Sequence, residues 1–173
     1  ELIRYNLDPV TNVPNITSPG WRTHNTQTSI SPTTRKVYTW NGSTGVEFIW
    51  NNLTTSQQNA LIGTDTSSVG QDRLNWLRGD QSKEWSQTGG ALRDRTRLLG
   101  DIINSTPFYD DKTKMVYIGA NDGGLHGFDS ETGIEKFVYI PNVVFSNLSK
   151  LTKRTYVNDG HQYFVDGSPV VVT

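Results

Sequence analysis

The sequence predicts a mainly β fold, and three observations on one stretch predict it. Met115–Gly119 alternates around the β-formers Val116 and Ile118, and Leu125–Asp129 alternates again, with His126 and Phe128 set against Leu125, Gly127 and Asp129. Between them, Asn121-Asp122-Gly123-Gly124 supplies residues that tolerate positive φ, as a hairpin turn demands. Glu131-Thr132-Gly133 supplies a second turn before a third apolar run, Ile134–Ile140. Three short antiparallel strands joined by tight turns form a meander, and such a meander is the unit of a propeller blade. Blades run roughly 40–45 residues, and about four to eight are needed to close a ring. The expectation is therefore a partial β-propeller with quinoprotein-like blades, cut from a larger chain. Residues 1–98 form a loop-rich lead-in with a hairpin and two short helices, and residues 99–173 form the first blade or blades.

Each element follows from local chemistry. Residues 1–34 carry Pro9, Pro14, Pro19 and Pro32 among Asn, Thr and Ser, and predict irregular loop with one short strand over 2–7. Arg35–Trp40 alternates, Asn41–Gly45 turns, and Val46–Trp50 returns, so 35–50 is a hairpin. Its Gly42-Ser43-Thr44-Gly45 loop lacks the lysine a phosphate cradle needs. Leu53–Gly63 predicts a helix capped by Thr54 or Thr55, with Gln57 or Gln58 at the capping-box position and Gly63 as its stop; Leu53, Gln57, Ala60 and Leu61 share a face. Thr64–Gly70 reads as a polar loop, and Gln71–Arg78 as a second helix ended by Gly79. Val143–Leu151 predicts one or two helical turns. Tyr163–Val165 and Pro169–Val172 read as strands around an Asp166-Gly167 turn. The turn residues singled out are Asn121, Asp122, Gly123, Asp129, Thr132, Gly133, Asp166 and Gly167, all in structural roles.

Composition narrows the function classes. Sixteen basic and seventeen acidic residues are scattered along 173, so no basic stripe argues for nucleic acid. The absence of cysteine excludes thiol catalysis, cysteine-ligated zinc and disulfides within these residues. No run reaches the roughly 18 apolar residues of a membrane span. His24, His126 and His161 lack zinc spacing, and His126 and His161 read as structural; no G-x-S-x-G elbow occurs. The acidic residues Asp110, Asp111, Asp122, Asp129, Glu131, Asp159 and Asp166 never assemble the dense loop that calcium favours, so no residue here is assigned to metal or cofactor. Arg93, Arg95 and Arg97 predict ion pairs with Asp80, Asp94 or Asp101 that pin the loop to the blade. Trp21, Trp40 and Trp85 are candidate contact residues, with core packing as the competing role.

The run Val116-Tyr117-Ile118-Gly119-Ala120-Asn121-Asp122-Gly123-Gly124-Leu125-His126-Gly127-Phe128-Asp129 and its continuation to Pro141 resemble the C-terminal propeller of the PilY1/PilC family, type IV pilus tip-associated biogenesis factors and adhesins. Upstream, Arg73–Asp80, Arg93–Arg95 and Leu99–Pro107 resemble the entry to that domain, and downstream His161–Pro169 resembles its next segment. The ordered series covers about residues 71–171. The resemblance implies a non-enzymatic pilus-associated protein that supports biogenesis, retraction control and attachment, with a role in virulence. Its partners would be minor pilins, a host or abiotic surface, and the remaining blades of the parent chain. It would sit at the bacterial cell surface or outside it, or on the outer membrane. The family's calcium would lie in the parent protein, in a loop that matches no position of this chain.

Gly127–Phe137 also resembles the propeller repeat of quinoprotein dehydrogenases, A-x-D-x-x-T-G-x-x-x-W, with Gly127 for Ala and Phe137 for Trp. In that frame Asp129 and Thr132 fix the turn and the aromatic packs between blades, which is scaffold chemistry. The alternative reading is a fragment of a periplasmic quinone-dependent dehydrogenase. An isolated blade, with edges unpaired, is expected to be marginally stable.

Overall fold

The computed structural model describes residues 1–28 and 30–171. Among the described residues, eight strands form two sheets. β1 (Ile3–Leu7) and β2 (Pro14–Arg22) make a two-stranded antiparallel arm. The other six are β3 (Val37–Trp40), β4 (Gly45–Glu47), β5 (Phe108–Asp110), β6 (Met115–Gly119), β7 (Leu125–Asp129) and β8 (Glu135–Ile140), in the order β4-β3-β8-β7-β6-β5. The meander is thus a four-stranded antiparallel unit, β5 to β8, as a blade requires. The α-helices among the described residues are α1 (Thr23–Gln27), α2 (Thr55–Ile62), α3 (Ser67–Leu77) and α4 (Phe145–Leu151).

The chain does not divide in space at 98/99. The hairpin β3–β4 joins the blade's own sheet, with β3 parallel to β8 through Val37↔Val138, Tyr38↔Tyr139 and Thr39↔Ile140. On β3, Val37 is buried in the core that it shares with Val138 and Ile140 of β8. Val37 and Thr39 turn inward, and the Thr39 hydroxyl donates to the Ile140 carbonyl at 2.7 Å. A parallel partner requires a long crossover, which residues 41–134 provide.

Other differences from the sequence reading have equally local causes. The arm's second strand runs through Pro14 and Pro19, which a two-stranded ribbon tolerates because one side of each strand needs no ladder donor. A short helix, α1, follows it where irregular loop was expected. α3 begins at Ser67 rather than Gln71, because the Thr66 hydroxyl accepts from the Val69 N–H and opens the helix a turn earlier. Gly70 sits inside that helix as a contact point: a Cβ there would lie 2.8 Å from Ile62 and 3.0 Å from Trp50. Tyr163–Val165 and Pro169–Val171 are not strands; Val172 lies outside the described residues. Phe164 instead spends its N–H on the Asn121 side chain, and Val165 packs on the main core. α2 carries the expected capping box, Thr54 with Gln57.

Two cores cover one face of the sheet. Val37, Val138 and Ile140 pack against Phe48, Leu61, Leu74, Trp76, Leu148 and Leu151 from the helical side. Nearer β6 and β7, Ile118, Ala120 and Phe128 pack under Leu99, with Leu2 and Ile102 at the margin. Among the described residues no helix is long and apolar enough to cross a membrane.

Candidate functional site

The turn between β6 and β7 organises most of the polar chemistry. Gly123 takes φ +100°, and a Cβ there would lie 2.7 Å from the Leu148 side chain, so the turn needs glycine on both counts. On either side of it, Asn121 and Asp122 face inward. Asn121 accepts from the Phe164 N–H at 2.9 Å and donates to Asp101 at 3.2 Å and Asp166 at 3.4 Å. Asp122 accepts from the Gly100 N–H at 2.9 Å and the Gly124 N–H at 3.1 Å.

From Asp122 a line of alternating charge runs through the sheet. His126 Nε2 lies 3.0 Å from Asp122 Oδ1, and its Nδ1 lies 2.8 Å from Glu135 Oε1. The Arg35 guanidinium then clamps Glu135 with two bonds, Nε to Oε2 at 2.6 Å and Nη2 to Oε1 at 2.9 Å. Gln27 donates to the same carboxylate at 2.9 Å. Beyond it Arg78 donates to the backbone carbonyls of Phe48, Pro32 and Arg35. His126 is wholly buried, and the Glu135 and Arg35 side chains are 1% and 4% exposed. With a carboxylate at each ring nitrogen, the imidazole of His126 is held as a cation that donates to both.

The protonation states follow from that packing. Burial opposes the charge on His126, but Asp122 and Glu135 outweigh it and hold its pKa up at about 9. Burial also opposes ionisation of Glu135, yet Arg35 and then His126 bring it down to about 2. Asp122 is likewise lowered: His126, the Gly100 N–H and Arg35 overcome its burial. Ionised Glu135 therefore contributes stability fully above its ordinary value of 4.5, and that contribution is lost as pH falls from there toward 2. Protonated His126 contributes fully below its ordinary 6.5, and its share is lost as pH rises from 6.5 to 9. Stability of the blade is expected to be greatest between pH 4.5 and 6.5 and to fall on both sides. Hydrogen exchange of β7 and β8 amides, corrected for intrinsic rates and followed from pH 4 to 9, measures this; a profile flat above pH 6.5 would contradict it.

The other turn residues are held just as closely. Asp129 Oδ1 accepts from the N–H groups of Glu131 and Thr132 and from the Thr132 hydroxyl, at 3.1, 2.9 and 2.9 Å. Those bonds, the Thr132 N–H foremost, draw its pKa down to about 2. Gly133 closes the turn at φ +68°, directly beneath Trp21, whose indole N–H donates to the Ser130 carbonyl at 2.9 Å. Asp166 accepts from the backbone and side chain of Asn104 as well as from Asn121. Gly167 is not among the residues at positive φ and has open space around it.

The arginine run pins its loop, but through other partners than expected. Arg95 pairs with Glu84 at 2.8 Å, both nearly buried, and lies 3.6 Å over the Trp76 ring. Burial lowers its pKa to about 10 against the pull of Glu84, which leaves it charged at neutral pH. Asp80 contributes only its carbonyl to Arg95. Arg93 lies between the Trp76 and Tyr156 rings and donates to the Leu151 carbonyl, and Arg97 reaches Glu1 at 3.8 Å. Asp94 accepts from the Ser86 N–H, and Asp101 takes His161 at 2.7 Å. Glu84, Glu135, Arg35 and Arg78 were all missed as framework residues. For Glu135 a signal existed: it is the acidic residue on the strand that pairs with buried His126, in a stretch otherwise apolar on that side.

The carboxylates near Asn121 are engaged by donors of the protein itself. Asp101, Asp122 and Asp166 already accept from His161, His126, Asn104, Asn121 and backbone N–H groups, whereas calcium needs six to eight oxygens converging on one point. Among the described residues no group of three or more His, Asp or Glu side chains is placed to hold a metal ion. Of the three tryptophans, Trp21 is buried, Trp40 is 43% exposed, and Trp85 is 53% exposed with Arg154 stacked on it at 3.3 Å. The arrangement as a whole locks the shape of the blade. His126 reaches no solvent, and the solvent-facing His161–Asp101 pair is flanked by the Asn121 amide on Asp101 and the edge of Tyr163 on His161.

Three comparisons bear on what this blade belongs to. Residues 104–173 match a family model described as the PilY1 beta-propeller domain. The chain is 42% identical over 163 residues to the type IV pilus biogenesis factor PilY1 of Pseudomonas aeruginosa strain PAK, covering 75% of this chain and 14% of that relative. It is 31% identical over 208 residues to the protein of the same name from strain UCBPP-PA14, covering 99% and 17%, and 32% identical over 198 residues to a PilY1 homolog of Xylella fastidiosa strain Temecula1, covering 96% and 14%. The chain thus spans 14–17% of the length of these relatives. No solved structure matches it.

Proposed function

This chain belongs to the PilY1 family, whose named relatives are type IV pilus biogenesis factors, and we propose from that premise that it is the opening blade of a non-enzymatic propeller serving the pilus at the cell surface. The observation that carries the reading is identity of 31–42% to relatives of that name, spread across most of the chain. The geometry agrees with it. Every buried titratable group in the blade is spent on another protein group, so the scaffold is rigid and its contacts with partners fall to loops and exposed side chains. Minor pilins and a host or abiotic surface are the partners this reading names, with Trp40 and Trp85 among the exposed aromatics available to them. Support of biogenesis, control of retraction and attachment follow as its roles. Calcium is assigned to parts of the protein other than these residues. The Asp129-Thr132-Gly133 turn, which also resembles quinoprotein propellers, is engaged here in holding a hairpin.

Deletion of the parent gene tests the proposal. Loss of surface pili or of attachment, restored by the full-length gene, is the expected result. Unchanged piliation and attachment in the deletion strain would overturn it.

A further inference from the structure

Arg35, Arg73, Arg78 and Arg95 each commit both terminal guanidinium nitrogens to protein acceptors. Arg93 does not. Its Nε donates to the Leu151 carbonyl at 2.8 Å, but among the described residues neither terminal nitrogen meets an acceptor and no carboxylate pairs with it. Both nitrogens are open to solvent rather than sealed in the core. The guanidinium is nonetheless fixed. It lies 5.2 Å from the centre of the Trp76 ring and 4.9 Å from that of Tyr156. Its backbone is tied on both sides, the N–H donating to the Thr152 carbonyl at 2.9 Å and the carbonyl accepting from the Trp76 indole at 2.9 Å. The Tyr156 hydroxyl is held in turn by the backbone of Gln162. Burial works against the charge on Arg93 and lowers its pKa, a cost that an anion at the two open nitrogens would offset.

Arg93 lines a cavity of about 430 Å³, the size of a small-ligand site. Leu77, Leu99 and Leu151 give that cavity an apolar wall, and Glu1, Asp94, Asp101 and Asp122 give it carboxylates. Of the other cations in the wall, Arg95 is paired with Glu84 and Arg97 faces Glu1. We propose that this cavity is a binding site for a monoanionic carboxylate on a short apolar stem, anchored by Arg93. A guanidinium fork presents two parallel N–H groups, which match the two oxygens of a carboxylate. The acidic residues of the wall repel a dianion such as phosphate. The leucines cover the stem. Two sources share this chemistry: an acidic side chain of a partner protein, and a free short-chain acid. The inference stands on the geometry of these residues and is independent of the pilus role.

Modification of Arg93 by butanedione in the purified full-length protein, read by mass spectrometry, tests it without any substitution. The reagent condenses with the terminal guanidinium nitrogens, so it reports whether they are occupied. Arg93 is expected to react in the native protein. The capped peptide acetyl-Ala-Glu-Ala-amide is expected to slow that reaction saturably, on the order of tenfold, because only the unbound fraction reacts. Arg154, exposed on Trp85, is expected to react at one rate throughout. Butyrate is the second probe. Slowing by the peptide alone supports the site and assigns it to a protein side chain; equal slowing by butyrate supports it and assigns it to a free acid. Equal slowing by acetyl-Ala-Gln-Ala-amide would overturn the proposal, since charge would then play no part. Stronger slowing by inorganic phosphate than by either carboxylate would overturn it too, as would no slowing by either. An Arg93 that reacts only after denaturation would also overturn it, because another part of the parent chain then fills the cavity. Should slowing be absent while the deletion strain loses its pili, the carboxylate site falls and the pilus role stands.

Discussion

Replacing Glu135 with leucine in the full-length protein is expected to raise hydrogen exchange of the β7 and β8 amides by roughly two to four orders of magnitude, equivalent to a loss of about 3–5 kcal/mol. The size follows from what the substitution leaves behind. Arg35, Gln27 and His126 all direct donors at this carboxylate, and all three are buried. Without it, two cations face each other in a dry interior with no counter-ion on one side. The same reasoning predicts that Glu131→Leu, four residues away, changes little. Its pair with Arg4 lies at the surface, with the Glu131 side chain 73% exposed, and such pairs contribute about 0–1 kcal/mol. Equal effects at the two positions would show that the alternating line of charge does not hold the blade.

Trp76→Ala is the second large effect. Trp76 is 2% exposed and holds three things at once. Its indole N–H donates to the Arg93 carbonyl at 2.9 Å, its ring carries Arg95 at 3.6 Å and Arg93 at 5.2 Å, and its body fills the core beneath α3. Truncation opens a cavity and strands a carbonyl, at a cost of about 3–5 kcal/mol. Because Arg93 also bonds the Leu151 and Thr152 carbonyls, through its side chain and its N–H, faster exchange is expected in both α3 and α4. Trp85→Ala is the matched control. That ring is 53% exposed with only Arg154 stacked on it, and its loss is expected to cost no more than about 1 kcal/mol. A disturbance confined to α3 would mean that the Arg93 bridge does not couple the two helices.

How much of this was legible depended on the range of the interaction. The meander, its turns and the capped helix at Thr54 rest on contacts within a few residues: alternation, glycine at positive φ, a hydroxyl reaching an N–H three positions on. Such patterns are written directly in the chain. The same holds for the Asp129–Thr132 turn, whose bonds span at most three residues. The later start of α3 in the sequence reading had a different cause. The polar run Thr64–Gly70 reads as loop because its apolar anchor, Val69, is lone, and the Thr66 cap decided the matter.

The sequence by itself determined that the chain is mainly β, that a blade-like meander lies at 115–140, where its turns fall, and to which family it belongs. Those are properties of local periodicity and of residue order. Only the tertiary structure decided that β3 joins the blade parallel to β8, that Glu135 answers Arg35 from 100 residues away, and that Glu84 rather than an aspartate pairs with Arg95. It also decided which face of the sheet is filled by helices. The physical reason is that burial selects these partners. A charge taken out of water must find its opposite wherever the folded chain brings one near, and an apolar face must find its cover the same way; neither requirement leaves a fixed spacing in the sequence.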